Sequence, residues 1–360
     1  MPDLQQQLLV FITAFATGDI GAIHAFRLEV DSGRLELIHR TADVENPFFI
    51  ALSPNRRFLY SIHEPEEFGG DSDGQIAAYE IIGYAGELKL LNRQSALGSA
   101  ACYIDVDATG QTVLVANYHT GSVASFPVRT DGSLGEAASL VQHQGASIKP
   151  GRQEGPHAHC IVVGSDNRYV YAADLGLDQV LNYRLDAATA TLSPNEQPFV
   201  RTPPGAGPRH LAFHPNGRHV YIINEFHNSV TLFNRDARSG FLIEQQTIST
   251  LPEEFEGDSY CADVKITPDG RHLYGTNRGH HSLAAYRIGD DGRLSLLGIE
   301  PSLGESPQNL AITPDGKLLL CANMSGNNVV VFRINSETGS LMPIGDPVSM
   351  PSPSCIMISN

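Results

Sequence analysis

His159, Arg209, Glu225 and Arg278 have the types needed to activate a water molecule and to meet the negative charge it creates. A histidine can take a proton from water near neutral pH and return it to a leaving alkoxide. An arginine fork grips a carboxylate or phosphate bidentately and stabilises a developing oxyanion. A glutamate can orient the fork or the imidazole, or act as the base itself. No G-x-S-x-G elbow offers a serine nucleophile, and neither H-E-x-x-H nor paired cysteines offer a zinc site. The chemistry in view is attack by water, or the reverse bond change, on an anionic small molecule, with no metal and no cofactor.

These residues are far apart in the chain, and a repeat brings them together. PFFIALSPNRRFLYSIHE from Pro47, ACYIDVDATGQTVLVANY from Ala101 and AHCIVVGSDNRYVYAADL from Ala158 share one plan with three later segments. Those are PRHLAFHPNGRHVYIINE from Pro208, CADVKITPDGRHLYGTNR from Cys261 and PQNLAITPDGKLLLCANM from Pro307. Each reads apolar run, turn, apolar run. Proline presets φ, Asn or Asp bonds the local backbone, and glycine takes the strained position. The β-branched and aromatic runs predict paired strands. NSVTLFNRD (Asn228 to Asp236) and GRLSLLGIE (Gly292 to Glu300) predict a third and a fourth.

Four strands per roughly 50 residues predict a propeller blade. A partial seventh copy, PSCIMISN from Pro353, lacks its second half, which stands at the other end as QLLVFITAF. The expectation is therefore all-β: one seven-bladed β-propeller domain over residues 1–360, with N- and C-terminal strands sharing the blade that closes the ring.

Aligned blades separate scaffold from site. One column, at the start of the inner strand, holds Phe48, Cys102, His159, Arg209, Ala262, Gln308 and Ser354. Another, where the next strand ends, holds Glu64, Tyr118, Leu175, Glu225, Arg278 and Met324. The preceding residue is nearly always Asn, which is repeated turn chemistry. Antiparallel neighbours place both columns on one face near the axis. His159, Arg209, Glu225 and Arg278 are thus expected to meet at one mouth, with Glu64, Tyr118 and Gln308 as further substrate contacts. Against this stands a purely structural ion pair that props the mouth open.

EGPHAHCIVV (Glu154 to Val163), YVYAADLGLDQVLNYRLD (Tyr169 to Asp186), GAGPRHLAFHPNGRHVYIINE (Gly205 to Glu225) and LYGTNRGHHSLAAYRI (Leu273 to Ile288) resemble the seven-bladed propeller lactonases. That family includes bacterial 6-phosphogluconolactonases of the propeller type and the fungal carboxy-cis,cis-muconate cyclase. The resemblance spans nearly the whole chain. It implies a lactonase site with a histidine at His159 or His157, arginines at Arg209 and Arg278, and the glutamate at Glu225. The column argument favours His159 as base and leaves His157 as a substrate contact. Lys265 and His119 depart from the family pattern and are read as possible substrate contacts. For a phosphorylated sugar lactone, Lys149 and Arg152 in the long loop QHQGASIKPGRQEG are added ligands; the plain reading of two loop cations is solubility. The resemblance implies hydrolysis of 6-phosphogluconolactone, in pentose phosphate metabolism. A cyclase acting on an unsaturated dicarboxylic acid and a non-enzymatic interaction propeller are the alternatives. Charges converging at the mouth favour an enzyme, and a chain without tryptophan is poor in scaffold hot spots.

Composition sets outer bounds. A net charge of −16 argues against nucleic acid or an anionic membrane as partner, while a local arginine cluster still admits a small anionic lactone or carboxylate. Five cysteines without C-x-x-C suggest reduced thiols and a cytoplasmic protein. Four of them, Cys102, Cys160, Cys261 and Cys355, fall at the starts of inner strands and are read as small buried side chains rather than a thiol cluster. The apolar start LLVFITAFA (Leu8 to Ala16) is too short to span a membrane and has no basic flank, so it reads as a strand.

Overall fold

The computed structural model describes residues 7–64 and 72–359. Seven four-stranded antiparallel sheets stand in a ring. Blade 1 runs outward as Pro353–Ser359, Gln7–Ala14, Ala22–Glu29 and Leu35–Thr41, so the two ends of the chain share it as expected. The innermost strands of blades 2 to 7 are Ile50–Leu52, Ala101–Val106, Ala158–Val163, Pro208–Phe213, Tyr260–Ile266 and Pro307–Ile312. Each innermost strand touches the next, and Pro353–Ser359 touches both Pro307–Ile312 and Ile50–Leu52. The only helical turn among the described residues is the 3-10 segment Gly18–Ile20. No helix there is long and apolar enough to cross a membrane.

Burial explains the strand patterns. The second strand of each blade lies between two neighbouring blades and is covered on both faces. His219–Asn224 (HVYIIN) is buried along its whole length, and so is Leu318–Asn323 (LLLCAN). Such strands read as continuous apolar runs. Outermost strands such as Leu242–Ser249 (LIEQQTIS) have one side in water and mix polar with apolar residues. The turn glycines of the PNG and PDG segments, Gly217 at φ +69° and Gly270 at φ +74°, occupy the left-handed region where a side chain is strained.

A second repeated device joins the blades. The hydroxyls of Tyr60, Tyr171, Tyr221 and Tyr274, each on a second strand, donate to the carbonyls of Gly132, Gly240, Gly292 and Gly339 in the next blade, at 2.6 to 3.1 Å. A Cβ on Gly240 would sit 2.5 Å from the ring of Tyr169, so the turn must carry glycine to be gripped.

One feature was not visible in the repeat. In blades 3, 4, 5 and 7 the inner strand carries an extra residue. The register steps from Ala101 to Tyr103, Ala158 to Cys160, Pro208 to His210 and Pro307 to Asn309 against single steps on the partner strand. The residues skipped are Cys102, His159, Arg209 and Gln308. Blades 6 and 1 carry comparable irregularities, at Ala262–Asp263 and at Ser354–Cys355. The first variable column is thus a ring of β-bulges, which re-aim side chains that a regular strand would alternate. The second column lies beside it: the backbone N–H of Glu225 donates to Gly207, that of Leu175 to His157 and that of Tyr118 to Ala100.

Candidate active site

Glu225 is buried, and three arginines close on its carboxylate. Oε1 accepts from Arg152 Nη2 at 3.0 Å; Oε2 lies 3.0 Å from Arg209 Nε and 2.8 Å from Arg278 Nη2. The arginines come from the loop before blade 4, the bulge of blade 5 and the second-strand end of blade 6. Burial alone would raise the Glu225 carboxyl; Arg278, Arg209 and Arg152 together outweigh it and hold it below its ordinary range. Three guanidinium groups against one carboxylate leave two positive charges in excess at the mouth of a strongly acidic protein. A carboxylate so fully engaged serves as an anchor for arginines and is poorly suited to take a proton.

Arg209 is 1% exposed, the largest fully buried side chain. Besides Glu225 it donates from Nη1 to the Ala262 carbonyl at 2.5 Å and to His210 Nε2 at 3.2 Å. Burial, then the repulsion of Arg278, lowers its pKa to about 10, which leaves it charged at neutral pH. Arg278 is less buried and also donates to the backbone carbonyls of Tyr260 and Cys261.

The two candidate histidines differ in kind. His159 lies on the bulge, 5% exposed, with Nδ1 3.7 Å from Cys102 Sγ and its ring edge-on to Tyr118. Burial, reinforced by the charge of Arg209, pushes its pKa well below 6.5. His159 is therefore neutral throughout the physiological range and only weakly basic, whereas the sequence reading had it titrating near neutrality. His157 is half-buried and stacks on Tyr118 with ring centres 4.6 Å apart. Its Nδ1 lies 3.0 Å from the Tyr118 carbonyl. A carbonyl only accepts, so Nδ1 carries the proton and Nε2 holds the basic lone pair.

The loop before blade 4 brings Lys149 and Arg152 to this place. Both sit over the Phe226 ring, at 4.8 and 4.6 Å, and Arg152 also reaches the Tyr118 hydroxyl at 3.4 Å. Two aspartates that sequence reasoning passed over hold the loop. Asp178 accepts from Ser147 Oγ, Gln153 Nε2, Gly205 N and Gly207 N, tying the Lys149–Arg152 turn to the GAGPRH segment. Asp174 accepts from the His157 backbone at 2.8 Å and pairs with His143 at 2.6 Å, which in turn meets the Tyr183 hydroxyl at 2.9 Å. A signal for Asp174 existed: it is the aspartate in a column of asparagines. Those asparagines are structural, as Asn117 and Asn277 show by donating to the preceding loop and to the third strand.

Among the described residues no hydrogen bond joins Glu64 or Gln308 to the cluster, although Gln308 holds its bulge position and is buried. His119 is exposed in the turn after Tyr118. Lys265 is placed differently from the expectation of a substrate contact. It lies two residues along the strand from Asp263, and its Nζ binds both oxygens of that buried carboxylate, at 2.9 and 2.8 Å. It acts as the counter-ion of Asp263. All five cysteines are buried and free, in line with the reading of Cys102, Cys160, Cys261 and Cys355 as small core side chains.

Glu64 is buried, and its Oε1 accepts the Ala101 N–H at 2.6 Å. Burial pushes its carboxyl up to about 7; Asp73 adds to the rise, while the amides of Ala101 and Ala100 oppose it. A carboxyl raised in the fold binds more protons folded than unfolded, so its contribution falls as pH rises from about 4.5 to 7. Glu64→Gln is expected to gain stability over wild type with rising pH, on the order of 3 kcal/mol at pH 8 and little at pH 4.5. Thermal melting of both proteins across that range measures it, and a difference that stays flat with pH refutes it.

Comparison with known proteins agrees with this architecture. The profile of the family described as "Lactonase, 7-bladed beta-propeller" matches residues 9–358. A 6-phosphogluconolactonase of Bacillus subtilis is 34% identical over 96% of this chain and 97% of its own length. Another, from Formosa agariphila, is 34% identical over 93% of this chain and 95% of its own. The solved structure of a periplasmic gluconolactonase from Pseudomonas aeruginosa superimposes with a TM-score of 0.92 at 29% identity, over 98% of this chain and 99% of that one.

Proposed function

The chain belongs to the seven-bladed β-propeller lactonase family, and on that premise we propose that it hydrolyses 6-phosphogluconolactone to 6-phosphogluconate. The observation that carries the choice is the excess of two positive charges around Glu225, with Lys149 beside it on Phe226. Any lactone would use arginines at its carbonyl, but Arg152 and Lys149 are cations beyond that need, and a phosphorylated lactone supplies the matching dianion. In this reading Lys149 and Arg152 take the phosphate and Arg209 and Arg278 face the lactone carbonyl. Glu225 holds the guanidinium groups in place, and Tyr118 orders the imidazole.

The base is assigned to His157 rather than His159. Its proton is fixed on Nδ1 by the Tyr118 carbonyl, and its half-exposed ring is the one solvent can reach. His157 Nε2 takes a proton from the attacking water, and the hydroxide adds to the lactone carbonyl. The tetrahedral oxyanion forms against the arginines. As the ring C–O bond breaks, the imidazolium returns the proton to the departing sugar oxygen. The free thiols accord with a reducing compartment and a cytoplasmic enzyme.

Purified protein assayed on a lactone panel, with and without chelator and with spontaneous hydrolysis subtracted, is expected to favour 6-phosphogluconolactone over gluconolactone in kcat/KM. His157→Asn is expected to lower kcat by about a hundredfold, and His159→Asn by much less. A dead His159→Asn beside a near-normal His157→Asn returns the role to His159. Turnover of an unsaturated dicarboxylate alone identifies a cyclase instead.

A further inference from the structure

Below the arginine cluster the axis is filled by the residues that follow the bulges, and they form a directed chain. His210 is 2% exposed and lies edge-on to Tyr103, which stacks on Phe49 with ring centres 4.2 Å apart. His210 Nδ1 is 2.9 Å from Asp263 Oδ1, and Nε2 is 3.2 Å from Arg209 Nη1. Asp263 also accepts from Lys265 Nζ, from Asn309 Nδ2 at 2.8 Å and from the Leu310 backbone at 2.9 Å. Asn309 then accepts the Ile356 backbone N–H of the closing strand at 2.8 Å. The polarity is forced. An ionised carboxylate only accepts, so His210 carries its proton on Nδ1, and Nε2 is left to accept from a guanidinium that only donates.

The accounting of Arg209 then closes. A guanidinium has five N–H groups. The one on Nε is spent on Glu225, and those on Nη1 on Ala262 and His210. Among the described residues none takes the two on Nη2. We infer that His210 is a positioning residue for the lactonase reaction: it fixes the roll of the Arg209 guanidinium, so that the Nη2 edge is the one offered to the substrate oxyanion. The inference rests on the proposed lactonase reading and assigns a role to a side chain that never touches substrate.

The surroundings suit that role. His210 faces Arg209, Asp263, Lys265, Tyr103 and the ring of His159, 5.4 Å away. Burial, then the charge of Arg209, lowers its pKa to about 4, so the accepting lone pair persists at every working pH. Burial alone would raise Asp263; Lys265 and the bond from His210 outweigh it and keep the carboxylate ionised. Protonating Nε2 would set an N–H against the N–H of Arg209, which is why a buried, permanently neutral histidine serves here and a titrating one would not.

Two measurements test this. In a double-mutant cycle, His210→Phe keeps the ring packing and deletes both bonds, and is expected to lower kcat roughly tenfold or more with a smaller change in KM. His210→Gln can accept from Arg209 and donate to Asp263 and is expected to stay within about threefold of wild type. In an Arg209→Lys background the His210→Phe step is expected to lose most of its effect; an equal loss in both backgrounds overturns the assignment. The second measurement needs no activity and no variant. In wild-type protein with 15N-labelled imidazoles, the His210 signals are expected to show a proton on Nδ1 and none on Nε2, unchanged from pH 8 to 5. A proton on Nε2, or titration near pH 6.5, overturns the inference even if no lactone is turned over. The expected tautomer without lactone turnover leaves the tether standing and rejects the proposed substrate.

Discussion

A chain ending at Ser352, without the strand Pro353–Ser359, is expected to lose cooperative unfolding altogether. The deleted strand is the innermost of blade 1 and pairs with Gln7–Ala14 through Leu9–Ser359, Phe11–Met357 and Ala14–Pro353. Its Cys355 and Ile356 are buried in two different core clusters, and Thr13 bonds Ser354 and Cys355 across the seam. Removing it uncovers the edge of Gln7–Ala14 and strips the facing sides of Pro307–Ile312 and Ile50–Leu52. The loss is comparable with a domain's whole stability, about 5–15 kcal/mol. Calorimetry should show no sharp transition, and size exclusion should show expanded or aggregated protein. A peptide of the deleted sequence added in trans should restore part of the transition. A truncated chain that melts within a few degrees of wild type would show that the ring does not need its closing strand.

Replacing Glu225 by Ala should damage stability and catalysis together. The carboxylate is the common partner of three arginines, and Arg209 has almost no access to water. Breaking a buried pair on one side costs about 3–5 kcal/mol, because the remaining charge stays buried without its counter-ion. Arg209 and Arg278 would then repel each other with nothing between them. The oxyanion contacts would be lost with their geometry, and kcat/KM is expected to fall about 10²- to 10³-fold. Glu225→Gln keeps the shape and two hydrogen-bonding ends but not the charge, so it should lie between. Added phosphate should recover part of the melting temperature of Glu225→Ala, since an anion can replace the lost carboxylate among the cations. A Glu225→Ala enzyme with wild-type kcat/KM would remove the arginine cluster from the reaction.

The blades, their number and the split blade were legible because turn chemistry and apolar runs recur along the chain. The meeting of Arg209, Glu225 and Arg278 was legible for the same reason: neighbouring blades 5 and 6 share a plan and must place corresponding residues side by side. The bulges were not, since one extra residue in a six-residue strand leaves the apolar pattern almost unchanged; only pairing reveals that His159 and Arg209 are skipped by the register. The basicity of His159 was misjudged because a side chain's burial depends on its neighbours in other blades. Lys265 misled in a similar way. It stood out as a departure from the family pattern, but its charge is paired with an aspartate two residues earlier on the same strand. Asp178 was the hardest to see. Its four partners come from segments before and after it, joined only by loop geometry.

The tyrosine grips between blades also say where the ring can breathe. They join blades 2 to 3, 4 to 5, 5 to 6 and 6 to 7. Blade 3 reaches blade 4 instead through Ser125 and the Ala190 carbonyl. On both sides of blade 1 the corresponding positions are Leu320 and Phe11, side chains with no hydroxyl to give. Blades 2 to 7 thus form a latched arc, and blade 1 is joined to it without that grip, by packing and by bonds such as those from Ile356 N–H to Asn309 and from Ser354 Oγ to the Pro47 carbonyl. Amide exchange should reflect this, with the earliest opening at the two seams beside blade 1. Arg209, Glu225 and Arg278 all lie on blades 5 and 6, near the middle of the arc. The circle can loosen where its ends were joined while the charges that would meet a substrate keep their places.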